Sequence, residues 1–571
     1  MKLKLLSFLV AVLAVMMLLA SCDFGGQGQG QGGGGETIKG DDKYPWKSAE
    51  ILVQLYGNTA NNELSSGLKR YYAGTDSGAF EEIDTLVRER NTMAKGKTKV
   101  DAKYSYEDGL GWGASIDTIQ TLAKSGTASA PDVYCNFAYD MTSCALRGCF
   151  ANLLANTNKS TSTMVGGGNF FKFAEDGYVG TSENYFDSNA GQGYFFDYMQ
   201  SLAFKNAQGK YDKLYCLASN YCTDLVRAFL VVPVNISMLE EIDIKASTGD
   251  TTGDGKFDLQ DFYEDVWDYK WNYDALAKLS QAVFQDTSSA VSGADIGDTL
   301  GFAAGKSSGL TGSGILYTTS VKIIEKVKNT DGTFTYAYPT ENKDLVAISD
   351  ALAKLFGENS GMGICTIDSA QAKAQGYSDG ELVAIRSRFS ENKVLFGGVI
   401  AVGSLEDEVY QKMNTGKGFG IVPVPLYRDG DKYLTLVHNI ARIVAVGIGT
   451  SEFSQCSAFL DYQSRNSAKI LEQYYTEDLT AKVEGGAAGE HNKNMLNYIR
   501  NHVRDCFDKT YEDVISNYQL KNDKQAQSKR WHSVLYTNGF IVSDMSTRYK
   551  QFYPEKQGLL EEVLAEWAAL D

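Results

Sequence analysis

The chain has 571 residues, 43% of them hydrophobic and 12% aromatic, and a formal net charge of −17. That length exceeds the roughly 250–300 residues at which a single hydrophobic core stops growing, so two lobes are expected. The acidity argues against nucleic acid and anionic membrane surfaces as partners. The 34 tyrosines suit stacking on sugar rings, and they suit half-exposed sheet and helix surfaces equally well.

Met1–Lys4 is a short basic start and Leu5–Ala20 an apolar run below the roughly 20 residues that span a bilayer, the pattern of a cleaved export leader over residues 1–21. Leu19-Ala20-Ser21-Cys22 resembles the lipobox of bacterial lipoproteins, which implies lipidation of Cys22 and an extracytoplasmic, lipid-anchored protein. Two or more acyl chains, at about 0.8 kcal/mol per buried methylene, hold such an anchor stably. Gly25–Gly35 is only glycine and glutamine, which bury no apolar surface to offset the entropy of ordering. Residues 22–43 are therefore a tether, with a mean reach of ~25 Å.

From Ala49 onward the pattern alternates. Ile51–Tyr56 reads as a buried strand, and Ala79, Ile83 and Leu86 recur at helical spacing behind a Ser77 cap. Lys99–Tyr106 reads as a strand, Ser115–Lys124 as a helix and Asp132–Asn136 as a third strand. This β-α-β-α-β order predicts a parallel sheet in an α/β fold, with ligands at the carboxyl ends of its strands. The loops there are Gly57-Asn58-Thr59, Asp108–Gly113 with Trp112, and Phe137–Asp140.

Apart from Cys22, the cysteines follow no framework spacing. Cys135, Cys144, Cys149, Cys216 and Cys222 sit in apolar runs and read as small buried hydrophobes, with Cys216 and Cys222 the first pair to test for a bridge. His438, His491, His502 and His532 show no zinc-ligand spacing.

Asp250-Thr251-Thr252-Gly253-Asp254-Gly255-Lys256-Phe257-Asp258-Leu259-Gln260-Asp261 resembles a calcium loop of the EF-hand or dockerin type. The resemblance implies a structural Ca2+ held by the side chains of Asp250, Thr252 and Asp254, the carbonyl of Lys256, Asp258 through water, and Asp261 in place of the usual glutamate. The alternative is a solvent loop on an Asp-Gly turn before a helix over Asp261–Tyr269. Val321–Pro339 reads as a hairpin around Asn329-Thr330-Asp331-Gly332. Lys393–Val402, Phe419–Val424 and Arg442–Gly447 read as buried strands. The stripe of Leu560, Val563, Leu564 and Trp567 marks a terminal helix that faces the core.

Several patches, in order, resemble extracellular solute-binding proteins of family 1 type that serve carbohydrate ABC importers. They are Ser129-Ala130-Pro131-Asp132-Val133-Tyr134 with Leu146-Arg147-Gly148 and Ala151-Asn152-Leu153; Lys213–Leu217 followed by Val231–Asn235; Trp271-Asn272-Tyr273-Asp274-Ala275-Leu276; and Gly418–Pro425. The resemblance implies a two-lobed, periplasmic-binding-protein-like fold with a hinge and an interlobe ligand cleft. Lobe 1 would take 44–156 and 392–446, and lobe 2 would take 157–391 and 447–571. It also implies a monomer without catalytic residues or a required cofactor, which captures a sugar or oligosaccharide and delivers it to the transmembrane subunits of an ABC permease. Ligand candidates are Tyr56, Asn58, Trp112, Tyr139 and Asp140 on lobe 1, Asn220, Tyr221 and Arg227 at the hinge, and Trp531. Arg227 has an ion pair as its alternative, and Trp271 is expected to pack between elements. Two other classes fit the compartment: an exported glycan-active enzyme, for which no catalytic constellation is recognisable, and a glycan-binding surface lipoprotein, which would be built of helical repeats.

Overall fold

The computed structural model describes residues 44, 46–57, 68–74, 81–107, 113–154, 193–205, 211–287, 294–306, 309–356, 361–377, 380–413, 416–503, 507–520, 531 and 544–570. The leader, Cys22 and the whole tether lie outside the described residues, as do Asn58, Ser77 and Trp112. Ser48–Asp571 forms one compact unit, distinct from Met1–Lys47. In the latter, the rings of Tyr44 and Trp46 stack at 5.1 Å. Among the described residues no helix is long and apolar enough to cross a membrane.

Fourteen strands are described: β1 Ala49–Tyr56, β2 Val100–Glu107, β3 Val133–Phe137, β4 Ala203–Lys205, β5 Tyr211–Leu214, β6 Leu230–Asn235, β7 Leu300–Gly305, β8 Glu325–Lys328, β9 Phe334–Ala337, β10 Ile364–Ile367, β11 Val394–Phe396, β12 Ile400–Ala401, β13 Phe419–Val422 and β14 Arg442–Val446. They make an α/β molecule with two mixed sheets. The first has the order β14-β3-β1-β2, with β1 parallel to β2 and β3 and β14 antiparallel to β3. Of its strands, β3 inside the sheet and β14 at its edge are buried at every position, which is why they read as continuous apolar runs. The second runs β10-β7-β11-β6-β12, with β13 also on β6. β7, β10 and β11 are parallel, while β11, β12 and β13 are antiparallel to β6. β4–β5 and β8–β9 are small hairpins, the latter where the Asn329–Gly332 turn predicts one.

Two boundaries differ from expectation. Of the stretch 392–446, β11, β12 and β13 pair with β6 and β7, and only β14 joins the first sheet. Apolarity marks a buried strand but not its neighbour, which here is chosen by pairing with Leu230–Asn235. The stretch 447–571 is likewise divided, with Phe453–Asn466 packing on β1 and on the helix Glu81–Thr98 while Gly489–Asn501 packs on β13. The expected strand Lys393–Val402 is interrupted. Phe396 faces Val234 but Ile400 faces Val231, a one-residue shift that makes a bulge. Gly398 takes φ +75° there, and a Cβ would come within 2.6 Å of the Ala303 carbonyl, so only glycine fits.

Between the sheets the chain crosses at least twice, and the crossings adjoin. Leu217 bridges Val444 and Phe229 bridges Val437. The Leu230 N–H donates to the Leu436 carbonyl at 3.1 Å, and the His438 N–H to the Ala228 carbonyl at 2.9 Å. The segments 214–235 and 426–446 thus run side by side in opposite directions.

Candidate functional site

The carboxyl ends of β1 and β3 meet the paired crossings, and that junction carries a buried ionic chain. Arg442, at the start of β14, donates from Nε to the Tyr56 carbonyl at 3.1 Å and from Nη1 to Asp224 at 2.6 Å. Asp224 also receives Arg227 Nη1 at 3.0 Å. Arg227 Nε and Nη2 then reach the two oxygens of Glu406 at 2.9 and 3.2 Å, and the Tyr474 hydroxyl donates to Glu406 at 2.7 Å. Both guanidinium groups lie over rings, Arg442 over Phe137 at 5.1 Å and Arg227 over Tyr71 at 5.3 Å. Burial pulls the Arg227 pKa down, and Glu406 with its other partners outweighs this, so it stays charged. Burial pushes the Glu406 carboxyl up, and Arg227 and Lys482 more than reverse it, leaving it below the usual carboxylate range. Charges this deep persist only when paired, as these are.

Beside this chain Asp140 opens the helix Ala138–Leu146. It accepts the Gly113 N–H at 3.0 Å, the Ser115 hydroxyl at 2.6 Å and the Asn136 amide at 3.4 Å. Burial still raises its pKa against those three hydrogen bonds. Across the crossing, Asn439 donates to Asp513 at 2.7 Å and Lys509 to the same oxygen at 2.6 Å, from the helix Phe507–Leu520. Ala138, Thr142, Tyr198, Val437, Asn439, Lys509, Thr510 and Asp513 enclose a cavity of about 10 Å³, room for about one water molecule. A larger pocket of about 250 Å³ lies elsewhere, between Thr340–Lys343 and the start of the helix Met545–Ala569. It is below the usual size of small-molecule sites.

The candidates from sequence fall into three groups. Tyr56, Tyr139 and Asp140 come together at the carboxyl ends of β1 and β3, all three buried. The Tyr139 N–H donates to the Asn439 carbonyl of the crossing at 3.2 Å, and burial pushes the Tyr56 phenol well up. Asn220 is half-buried in a turn and donates its N–H to the Gly193 carbonyl at 2.7 Å. Tyr221, Arg227 and Trp531 are taken up by interior contacts. Tyr221 has its ring under Arg90 at 5.0 Å and its hydroxyl 3.2 Å from that of Tyr104. Arg227 is the pivot of the ionic chain. Trp531, expected to face the cleft, is fully buried, stacks on Tyr549 at 4.6 Å and donates its backbone N–H to Glu512 at 3.0 Å. Its polar neighbours in sequence concealed that partner. Sequence reasoning missed Asp224, Glu406, Asn439, Arg442, Lys509 and Asp513. The signal available was charge inside apolar runs, above all Arg442 opening Arg442–Val446.

The loop Asp250–Asp261 satisfies its carboxylates internally. Asp250 accepts the N–H groups of Gly253, Asp254 and Gly255, and Asp254 that of Lys256. Asp261 accepts those of Thr251, Thr252 and Asp258, while Asp258 caps the helix Leu259–Trp267. Among the described residues no three side chains of metal-binding type converge. Cys216 and Cys222 are free thiols, bonded to the carbonyls of Met141 and Leu217. Trp271 packs on Phe262 and Phe396 and donates to the Pro423 carbonyl at 2.9 Å, as its place before the Asn272 cap leads one to expect.

No protein-family model matches the chain, and no curated protein matches it in sequence. Among solved structures it is similar to a Thermotoga lettingae ABC transporter solute-binding protein bound with α-D-tagatose, at 11% identity and TM-score 0.45 over 90% of this chain and 100% of that one. It is similar to the galacto-N-biose/lacto-N-biose I-binding protein of Bifidobacterium longum at 11% and 0.45, over 91% and 98%. The maltose-binding periplasmic protein MalE of Listeria monocytogenes gives 13% and 0.44, over 91% and 98%. With TM-scores below 0.5, the weight falls on the molecule's own sheets, crossings and motifs.

Proposed function

We propose that this protein is the lipid-anchored, non-catalytic binding component of an ABC importer, that its ligand is a sugar or oligosaccharide, and that a transmembrane permease receives the loaded form. The observation that carries the reading is the pairing of two mixed sheets through adjoining antiparallel crossings. This layout lets two lobes rotate about a short, stiff axis. Contacts made to a ligand from both lobes exist only when they close on it, so the ligand shifts the population towards closure by its differential affinity. The ordered motif patches and the Leu19–Cys22 lipobox support the class and the compartment.

The test is a thermal-shift screen of the purified protein against mono- and oligosaccharides and peptides. A ligand that binds only the folded state stabilises by about 2.7 kcal/mol at a hundredfold excess over Kd. A rise with one saccharide class and no turnover of that saccharide is expected. Product formation would replace the reading by a glycan-active enzyme, and a rise with peptides alone by a peptide importer.

A further inference from the structure

The helix Ala138–Leu146 ends in a motif that sets two cysteines against each other. The Cys149 N–H donates to the Cys144 carbonyl at 3.1 Å and the Gly148 N–H to the Ala145 carbonyl at 2.9 Å. These are the paired bonds of a Schellman cap, with Gly148 in the left-handed position at φ +66°. In that cap the two residues joined by the outer bond, here Cys144 and Cys149, bring their side chains together. The outer bond also draws their Cα atoms into the roughly 4.4–6.8 Å span that a disulfide bridges. Both residues are fully buried free thiols in this structure, and the two thiols are hydrogen-bonded to each other. The hydrogen bond from Cys144 holds the Cys149 thiol below the usual cysteine range against the effect of burial, helped by Lys124 and Arg147, while burial raises Cys144 well above it. One sulfur is thus prepared to attack and its neighbour to resolve.

What covers the pair arrives late. Phe150 bridges Gly447, and the Ile448 N–H donates to the Cys149 carbonyl at 2.9 Å, so the roof over Cys149 comes from the chain just after β14. The cap itself is local and needs no residue beyond Cys149 to form. During synthesis the two thiols are therefore held together long before that roof exists.

We infer that Cys144 and Cys149 are a disulfide-forming pair, closed while the chain folds outside the cytoplasm by exchange with a disulfide oxidant, either a small-molecule disulfide or an oxidoreductase. The Cys149 thiol gives its proton to solvent and attacks one sulfur of the oxidant, whose S–S bond breaks and releases one thiolate. Cys144 then loses its proton and attacks the Cys149 sulfur of the mixed disulfide, expelling the second thiolate. Two protein thiols are oxidised to one disulfide, and the oxidant disulfide is reduced to two thiols. The bond pins the end of the helix that carries Tyr139 and Asp140 and directly follows β3. Cys216 and Cys222, the pair that sequence spacing singles out, bond instead to the carbonyls of Met141 and Leu217. The oxidising compartment rests on the export reading above, and the pairing does not.

The experiment refolds the reduced, unfolded full chain with glutathione disulfide or with dithiothreitol and blocks the remaining thiols with N-ethylmaleimide. Trypsin, cutting after Lys124, Arg147 and Lys159, then releases 125–147 with Cys135 and Cys144, and 148–159 with Cys149 alone. From the glutathione sample the two peptides are expected as one mass that separates on reduction and is lost in both Cys144→Ser and Cys149→Ser. The thermal midpoint of that sample is expected several degrees above that of the dithiothreitol sample. The same joined mass is expected from chain recovered from the membrane fraction of an exporting host. Blocked Cys144 and Cys149 after refolding, or a link that survives Cys144→Ser through Cys135, or one that joins Cys149 to Cys216, would overturn the inference and leave the solute reading standing. A link that forms on refolding but is absent from the exported chain would overturn its use in the cell. Retention of the chain in the cytoplasm would instead remove the compartment reading and leave the pairing.

Discussion

Glu406 shows how much of this molecule depends on single buried charges. Its carboxylate takes both Arg227 and Tyr474, so Glu406→Gln leaves a buried guanidinium half-paired. The expected loss is ~3 kcal/mol of unfolding free energy at neutral pH, read by urea denaturation. Because the folded pKa lies below the unfolded value of about 4.3, the pair's contribution is complete above that value and is lost as pH falls through the folded one. The variant should lack this acid limb. Asp140 has the opposite sign, being raised on folding, so what it contributes is present below its unfolded pKa and is lost as pH rises through the folded one. The patches that carry the family resemblance turn out to be fold-holding residues at this scale. Asp132 accepts the Leu52 N–H of β1 at 2.9 Å, and Asn152 that of Leu214 at 3.0 Å, where the first crossing begins. Lys213 takes the carbonyls of Trp567, Ala568 and Leu570 at the end of the last helix. Such positions are legible because each needs one particular side chain. The acids that pair with Arg227 and Arg442 come from other parts of the chain, and nothing local marks them.

Among elements, β7 and the helix Tyr273–Val283 approach closely at Gly301. A Cβ on Gly301 would lie 2.1 Å from the Cα and Cβ of Ser280, with no flexible side-chain end to give way. Gly301→Ala should therefore push the helix off the sheet and cost ~3 kcal/mol, the upper part of the range for overpacking; a midpoint within a degree of wild type would refute that contact. The loop Asp250–Asp261 makes the reverse case. Its carboxylates accept the loop's own N–H groups and keep lone pairs free for a cation, so the calcium expectation is read from the thermal midpoint: a rise of several degrees with calcium over a chelator would put the ion in the loop, and equal midpoints would leave a hydrogen-bonded turn. Elements were the most legible level. β1 to β3 and the helix Ile116–Ser125 stand within two residues of their expected places, Asn272 caps its helix, and β8–β9 form inside the expected hairpin Val321–Pro339, because periodicity and capping are local; the Ser77 cap lies outside the described residues. The break in Lys393–Val402 was not legible, since it answers to the Ala303 carbonyl of a neighbouring strand.

For the whole molecule, length predicts two lobes and the alternation of strands and helices a parallel sheet, whereas that sheet is mixed because β14 runs antiparallel to β3, and the membership of the sheets was not legible. The stretches 392–446 and 447–571 each look uniform in sequence and are each divided between the sheets in space. Hydrophobic pattern reports depth of burial, and strand partners are set by pairings between distant segments. The order of the first sheet also bears on how the protein comes to exist. β14 closes it against β3, yet follows in the chain only after every strand of the second sheet. While the chain emerges, β3 therefore has one bare edge that nothing nearby can pair. Such distant closure is slow and leaves intermediates open to aggregation. Pulse-labelled hydrogen exchange during refolding should show amides of β6, β7 and β11 protected before those of β14, and simultaneous protection would refute this order. The consequence is a maturation problem, in which a folding helper would act chiefly by shielding that edge until the last quarter of the chain arrives.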